Sequence, residues 1–141
     1  MKKLTVTLIC IAMFIVPAND VSAKKHKLLC PKMAKITNTI AKEIGQRQRI
    51  DYIMWRESRC NTKAINEDDP YGGSLGLFQI NQYWCKRSKS TGEGFLKVRD
   101  VVNKCTDLYK PKVQAQAFLE IYNYVDDRWN NGWIPWGSPW N

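Results

Sequence analysis

Residues 57–85 read E-S-R-C-N-T-K-A-I-N-E-D-D-P-Y-G-G-S-L-G-L-F-Q-I-N-Q-Y-W-C. The stretch opens on a glutamate that closes an apolar row. Ile50, Ile53 and Met54 fall at helical spacing, and four more from Ile53, or three from Met54, lands on Glu57. A helix over residues 49–59 therefore carries a carboxylic acid near its C-terminal end, on its apolar face. Burial disfavours the charged form of an acid, so a carboxyl held there should keep its proton towards neutrality and be able to donate it. An exposed glutamate at a helix end is the plain alternative. Residues 61–74 are polar and turn-rich, with E-D-D-P and G-G inside, and suit an irregular loop or a small hairpin. Residues 77–84 are apolar and aromatic, and suit a strand or a short helix.

Upstream, residues 31–45 read as a first helix. Pro31 fits a first turn, Ile36, Ile40 and Ile44 repeat every four positions, and Gly45 marks a stop. Downstream, residues 86–94 (K-R-S-K-S-T-G-E-G) form a solvated loop, and residues 95–104 a short helix. A longer helix follows over 111–126, with Val113, Ala117, Ile121 and Tyr124 or Val125 on one face. Residues 129–141 hold four tryptophans broken by Gly and Pro. There are no internal repeats and no linker, so residues 24–141 are expected to form one small domain. It is mainly α, with a compact β-hairpin or loop insert.

Residues 1–23 have the form of a secretory signal: Lys2 and Lys3, an apolar run over 4–16, and Val21-Ser22-Ala23 as a small-residue cleavage site. The run falls short of the roughly 20 apolar residues of a membrane helix. An extracytoplasmic location, periplasmic or extracellular, is therefore expected, with no stable membrane insertion once the signal is removed. Cys10 lies inside the run and leaves with it. Removal takes two lysines and Asp20, lowering the formal charge from +9 to +8. Such a basic chain favours an anionic partner. Outside the cell that means acidic wall polymers or surfaces, and no nucleic-acid motif accompanies the charge. Cys30, Cys60, Cys85 and Cys105 remain, an even number that argues for two disulfides among three possible pairings. A zinc site is the rival, but no C-x-x-C pair is present. His26 is the single histidine and sits in the basic start K-K-H-K. A His-based triad, a metal and a cofactor are therefore not expected.

The quoted stretch resembles the lysozyme superfamily in two of its branches. N-T-x-A-x-N at 61–66, G-L-F-Q-I-N at 76–81 and Y-W-C at 83–85 resemble animal-type lysozymes. Glu57-Ser58 and G-L-x-Q at 76–79 are equally similar to soluble lytic transglycosylases. So are Cys30-Pro31 and the G-W-x-P-W block at 132–136. The resemblance covers residues 30–136. It implies an α+β lysozyme-like fold with a deep groove, and Glu57 as general acid above a scissile sugar bond; the raised acid is carried over from the family. The implied partner is the peptidoglycan glycan strand, acted on by a monomer. The pairing implied by the animal-type relatives is Cys85–Cys105, which leaves Cys30–Cys60.

One position departs from the animal-type pattern: Ser74 stands where those enzymes carry a second carboxylate. A hydroxyl cannot stabilise an oxocarbenium ion as a nearby anion does. Transglycosylases work without that residue. One glutamate protonates the glycosidic oxygen, then deprotonates the muramyl 6-hydroxyl, closing a 1,6-anhydro ring. The rival is an inverting hydrolase with Asp68 or Asp69 activating water, against a plain turn role for both beside Pro70. Candidate sugar contacts are Ser58 beside the acid, Asn66 and Ser74, and the amides and rings of Gln79, Asn81, Tyr83 and Trp84. Tyr122, in I-Y-N, stands in for the tyrosine of the transglycosylase A-Y-N-A-G block, with a packed helix tyrosine as its alternative. Trp133 and Trp136 suit core or groove wall, and Trp140 a loose end. A wall-binding relative without turnover and a cationic membrane-active protein are the competing functional classes.

Overall fold

The computed structural model describes residues 27–86 and 92–137. The segment read as a signal, Cys10, His26, the centre of the basic loop and Trp140 lie outside them. A 3₁₀ turn at Pro31–Met33 leads into α1 (Ala34–Ile44), which stops at Gly45 with φ +68°. Helix α2 (Arg47–Ser58) follows, then three two-residue strands: β1 (Ile65–Asn66), β2 (Ser74–Leu75) and β3 (Ile80–Asn81). They form one antiparallel sheet in sequence order, pairing Asn66 with Ser74 and Ser74 with Asn81. A 3₁₀ turn at Gln82–Trp84, the short α3 (Phe95–Val98), a 3₁₀ turn at Cys105–Tyr109, α4 (Pro111–Trp129) and a last 3₁₀ turn at Ile134–Trp136 complete the chain. The hairpin alternative for residues 61–74 is the one found, and both expected disulfides are present, each with Cα atoms 5.5 Å apart.

The apolar faces of α1, α2 and α4 meet in one core. Ile40, Ile50, Ile53, Met54, Phe118 and Ile121 are fully buried. Each such side chain contributes about 1.5–3 kcal/mol of transfer free energy. Phe78 brings the sheet into this core, its ring 4.5 Å from that of Phe118. Phe118 also stacks on Trp136 at 4.1 Å, so the C-terminal block packs as core and wall. Gly132 lies where a Cβ would come within 2.7 Å of the Tyr122 ring, which explains a glycine at that corner.

Two expected helix bounds need correcting, and one buried acid is added. The third helix ends at Val98 rather than at 104. Asp100 adopts a left-handed φ of +56°, and the turn it makes tucks Val101 and Val102 into the core. The second helix begins at Arg47, two residues early. Glu57 is not the acid most deeply placed on α2; Asp51 is, at 2% exposure. Its carboxylate accepts the backbone N–H of Leu29 at 2.6 Å and of Cys30 at 3.0 Å, which offsets the cost of burying charge.

Asp107 organises the 3₁₀ turn after Lys104. Lys110 Nζ donates to it at 2.7 Å, and the backbone N–H groups of Lys104 and Asn103 donate at 3.0 and 3.1 Å. The Lys110 bond first, then the backbone donors, hold this carboxyl at about 2, below its ordinary 3.8. A depressed folded value stabilises fully above the unfolded pKa, and that stability is lost as pH falls towards the folded one. Thermal melts should therefore show an acid limb between about pH 4 and pH 2 that Asp107→Asn flattens.

Candidate active site

One cleft of about 710 Å³ runs between the C-terminal end of α2 and the sheet. Its wall on the helix side is Glu57, Ser58 and Arg59. The opposite wall brings Asn66, Asp69, Ser74, Gln79 and Asn81 from the hairpin and β3. Trp84, Ile121 and Trp136 complete the lining.

The helix end is fixed by local chemistry. After Ser58 the chain turns left-handed twice, with φ +52° at Arg59 and +65° at Cys60. Arg59 N–H returns to Trp55 O at 2.9 Å, and Cys60 is tied to Cys30. Each left-handed residue with a Cβ costs on the order of 1 kcal/mol, which persists because the disulfide and the returning hydrogen bond determine the turn. Ser58 Oγ donates to Met54 O at 2.9 Å, so this candidate contact is engaged with its own helix.

Glu57 reaches the cleft but is less enclosed than its place in the apolar row suggests. Its side chain is 24% exposed, and its Oε1 accepts from Arg56 Nε at 2.9 Å. Arg56 Nη2 also reaches Glu57 Oε1 and donates to the carbonyl of Trp136. The guanidinium thus links the acid to the C-terminal block, and its face lies 6.0 Å from the Tyr52 ring.

Across the cleft, Ser74 is buried and donates its hydroxyl to the carboxylate of Asp69. The Asp69 carbonyl accepts from Gly73 N–H at 3.0 Å, which curls the hairpin so that Asp69 faces Ser74. The other acid weighed beside Pro70, Asp68, is exposed and uses its backbone N–H on Asn66 Oδ1 at 3.2 Å.

The G-L-F-Q turn is held from behind by Gln114 of α4, a fully buried amide. Its Oε1 accepts from Phe78 N–H at 3.0 Å and its Nε2 donates to Leu75 O at 2.7 Å. Gly76 leaves room for it, since a Cβ there would lie 2.3 Å from Gln114 Nε2 and 2.6 Å from Leu108 O. Gln79, at φ +46°, turns its side chain back to Gly76 O at 3.0 Å. Asn81 spends both ends of its amide on the scaffold, donating to Pro70 O and accepting from Tyr83 N–H, each at 2.8 Å. Trp136 donates its indole N–H to Phe78 O at 2.9 Å and lines the cleft.

Two candidates stand outside the cleft lining. Tyr83 lies on the lip and is largely exposed. Tyr122 packs behind the wall, against Trp133 at 4.9 Å and Phe118 at 6.3 Å. Burial first, then Asp126, pushes its phenol above the usual range. Nearby, Arg49 lies 4.1 Å over Trp133, and burial lowers its pKa. Gln114, Arg56 and Asp69's bond to Ser74 were not foreseen from sequence, and only the pair Asp68 and Asp69 in a turn beside Pro70 gave a hint. Among the described residues, no group of three or more His, Cys, Asp or Glu could hold a metal ion, and no helix is long and apolar enough to cross a membrane.

What the arrangement offers is an acid and a second, hydrogen-bonded carboxylate lining one groove with amide and aromatic side chains. A family model described as a lysozyme-like domain matches residues 38–138. The chain is similar to human lysozyme-like protein 6, at 35% identity over 85 residues, which is 60% of this chain and 54% of that protein. It thus spans about half the length of the curated relative it matches. No solved structure matches.

Proposed function

The chain belongs to the lysozyme-like domain family, and from that premise we propose that it is an exported enzyme that cleaves the β-1,4 link between N-acetylmuramic acid and N-acetylglucosamine in peptidoglycan. The single observation that carries this is Glu57 in a cleft whose far wall is Ser74, Gln79 and Asn81. Glu57 gives its proton to the glycosidic oxygen as the bond to the muramyl C1 breaks, and the N-acetylglucosamine hydroxyl leaves. The resulting carboxylate then takes the proton of the muramyl 6-hydroxyl, whose oxygen bonds to C1. No water is consumed, and the acid is regenerated. The route is favoured because a hydroxyl, Ser74, occupies the place of a nucleophilic carboxylate. Two disulfides suit export, since such bonds persist in oxidising compartments. The basic chain suits an anionic wall.

One observation favours a second route: Asp69 is held by Ser74 in the same cleft. There it would take a proton from a water that attacks C1 from the face opposite the leaving group, giving hydrolysis with inversion. Mass spectrometry of the muramic ends formed from purified peptidoglycan separates the two. Ends lighter by one water, with Asp69→Asn keeping most activity, are expected for ring closure. Ordinary reducing ends, with Asp69→Asn slowed by about 10²–10⁴-fold, would establish hydrolysis instead.

A further inference from the structure

Arg59 stands where a smaller residue would fit with less strain. It caps α2 in the left-handed region, at φ +52°, a position that glycine or asparagine fills most easily. Its exposed side chain is nevertheless held in place. Nη1 donates to Trp55 O at 3.1 Å, and the guanidinium lies 3.9 Å over the Trp55 ring. Among the described residues the rest of its donor fork makes no other hydrogen bond, and no carboxylate pairs with it.

The charges around the cleft give this cation its meaning. Among the described residues that line the cleft, Arg59 is the one lysine or arginine, against two carboxylates, Glu57 and Asp69. Arg56, the other cation beside the acid, is spent on Glu57 Oε1 and on the carbonyl of Trp136. Trp55, on which the Arg59 guanidinium rests, is not part of the cleft lining. An uncommitted positive charge therefore sits at the rim, at the end of the cleft that holds the acid.

A fixed rim cation matches the one kind of charge that the proposed substrate carries. The two alternating sugars differ at C3, where muramic acid bears a lactyl ether ending in a carboxyl. In the wall that carboxyl carries the stem peptide, which has carboxylates of its own. The rings enter the cleft and this substituent projects from them. We propose that Arg59 binds a carboxylate borne by the muramyl sugar and so makes the cleft prefer muramyl strands to neutral N-acetylglucosamine polymers. The guanidinium takes the carboxylate through charge-assisted hydrogen bonds and offsets its repulsion by Glu57 and Asp69. The proposal rests on the glycan-cleaving reading and adds to it the residue that selects the substrate by charge.

The test is calorimetric binding to the Glu57→Gln protein, which turns over too slowly to interfere. Three glycans of equal length are compared: N-acetylglucosamine oligomers, peptide-free muramic acid–glucosamine oligomers, and the latter with the stem peptide attached. Adding Arg59→Asn removes the cation and suits the left-handed turn. It is expected to weaken a muramyl ligand about three- to thirtyfold more than the neutral oligomer. Arg59→Lys should recover part of that excess, since the charge stays and the planar fork is lost, and high salt should shrink it. An excess already present with the peptide-free strand assigns the lactyl carboxyl, and one confined to the peptide-bearing strand assigns the carboxylates of the peptide. No excess loss on either muramyl ligand overturns the proposal and leaves the cleavage reading intact. Failure of Glu57→Gln to bind any glycan, together with absent cleavage by the unaltered protein, removes both.

Discussion

Glu57→Gln is expected to slow the release of soluble fragments from purified peptidoglycan by about 10²–10⁴-fold, the share general acid–base catalysis supplies. The substitution keeps the shape of the side chain and its hydrogen bond from Arg56, and removes the titratable proton. Its effect on stability should stay within about 1 kcal/mol, because the Arg56–Glu57 pair is partly solvent-exposed at 29% and 24%. Comparing turnover with the thermal midpoint therefore isolates chemistry from folding. A wall-binding protein without turnover would be indifferent to this change, as would one acting through its charge on membranes. Unchanged peptidoglycan release at an unchanged melting temperature would favour those classes over an enzyme.

Removing the Cys30–Cys60 bond by paired alanine substitution should cost about 3.6 kcal/mol, the chain-entropy value for a closed loop of this size. The bond spans 30 residues and ties the start of the domain to the left-handed turn that follows Ser58. Asp51 pins the same N-terminal segment through Leu29 and Cys30 N–H, so the two devices share one task. Urea unfolding should show a lower midpoint with a somewhat steeper slope, because the unfolded chain without the cross-link exposes more surface. Activity should fall more than the remaining folded fraction, because Glu57 lies one turn from Cys60 and loses its fixed position. An activity loss that matches the unfolded fraction alone would mean that the acid is placed by α2 without help from the bond.

Much of this architecture was legible because it is local and periodic. Ile36, Ile40 and Ile44 mark α1, while Ile50, Ile53 and Met54 mark the buried face of α2, and all but Ile44 are buried as that spacing requires. Gly45 stops α1 as expected. What escaped was non-local. Asp51 tolerates burial only because donors arrive from more than twenty residues upstream. Gln114 reads as a polar residue in a helix until Leu75 and Phe78 are brought against it, and with Phe118 it widens the inner face of α4, on which Ala117, Ile121 and Val125 of the expected stripe are buried. Adjacent helix residues point about 100° apart, so sequence spacing gives no reason to pair Arg56 with Glu57. The carbonyl of Trp136, 80 residues away, supplies that reason by drawing the guanidinium across the helix end. Of the residues named from the sequence, Glu57, Ser58, Asn66, Ser74, Gln79, Asn81, Trp84 and Trp136 line one cleft. Tyr122 and Tyr83 were named by pattern but lie behind and beside it, since sequence similarity of a short block does not fix which way a ring faces. Asp107 and Asp100 shaped the segment after α3 through capping and a left-handed turn, neither of which leaves a periodic signal.

The most direct test is a crystal structure of the Glu57→Gln protein with a muramic acid–glucosamine oligosaccharide spanning the cleft. The expected result is a scissile oxygen within about 3 Å of the residue 57 side chain, with the two flanking sugars against Ser74 and Gln79. An oligosaccharide bound away from this cleft, or one whose linking oxygen faces another wall while residue 57 stays on Arg56, would contradict the account.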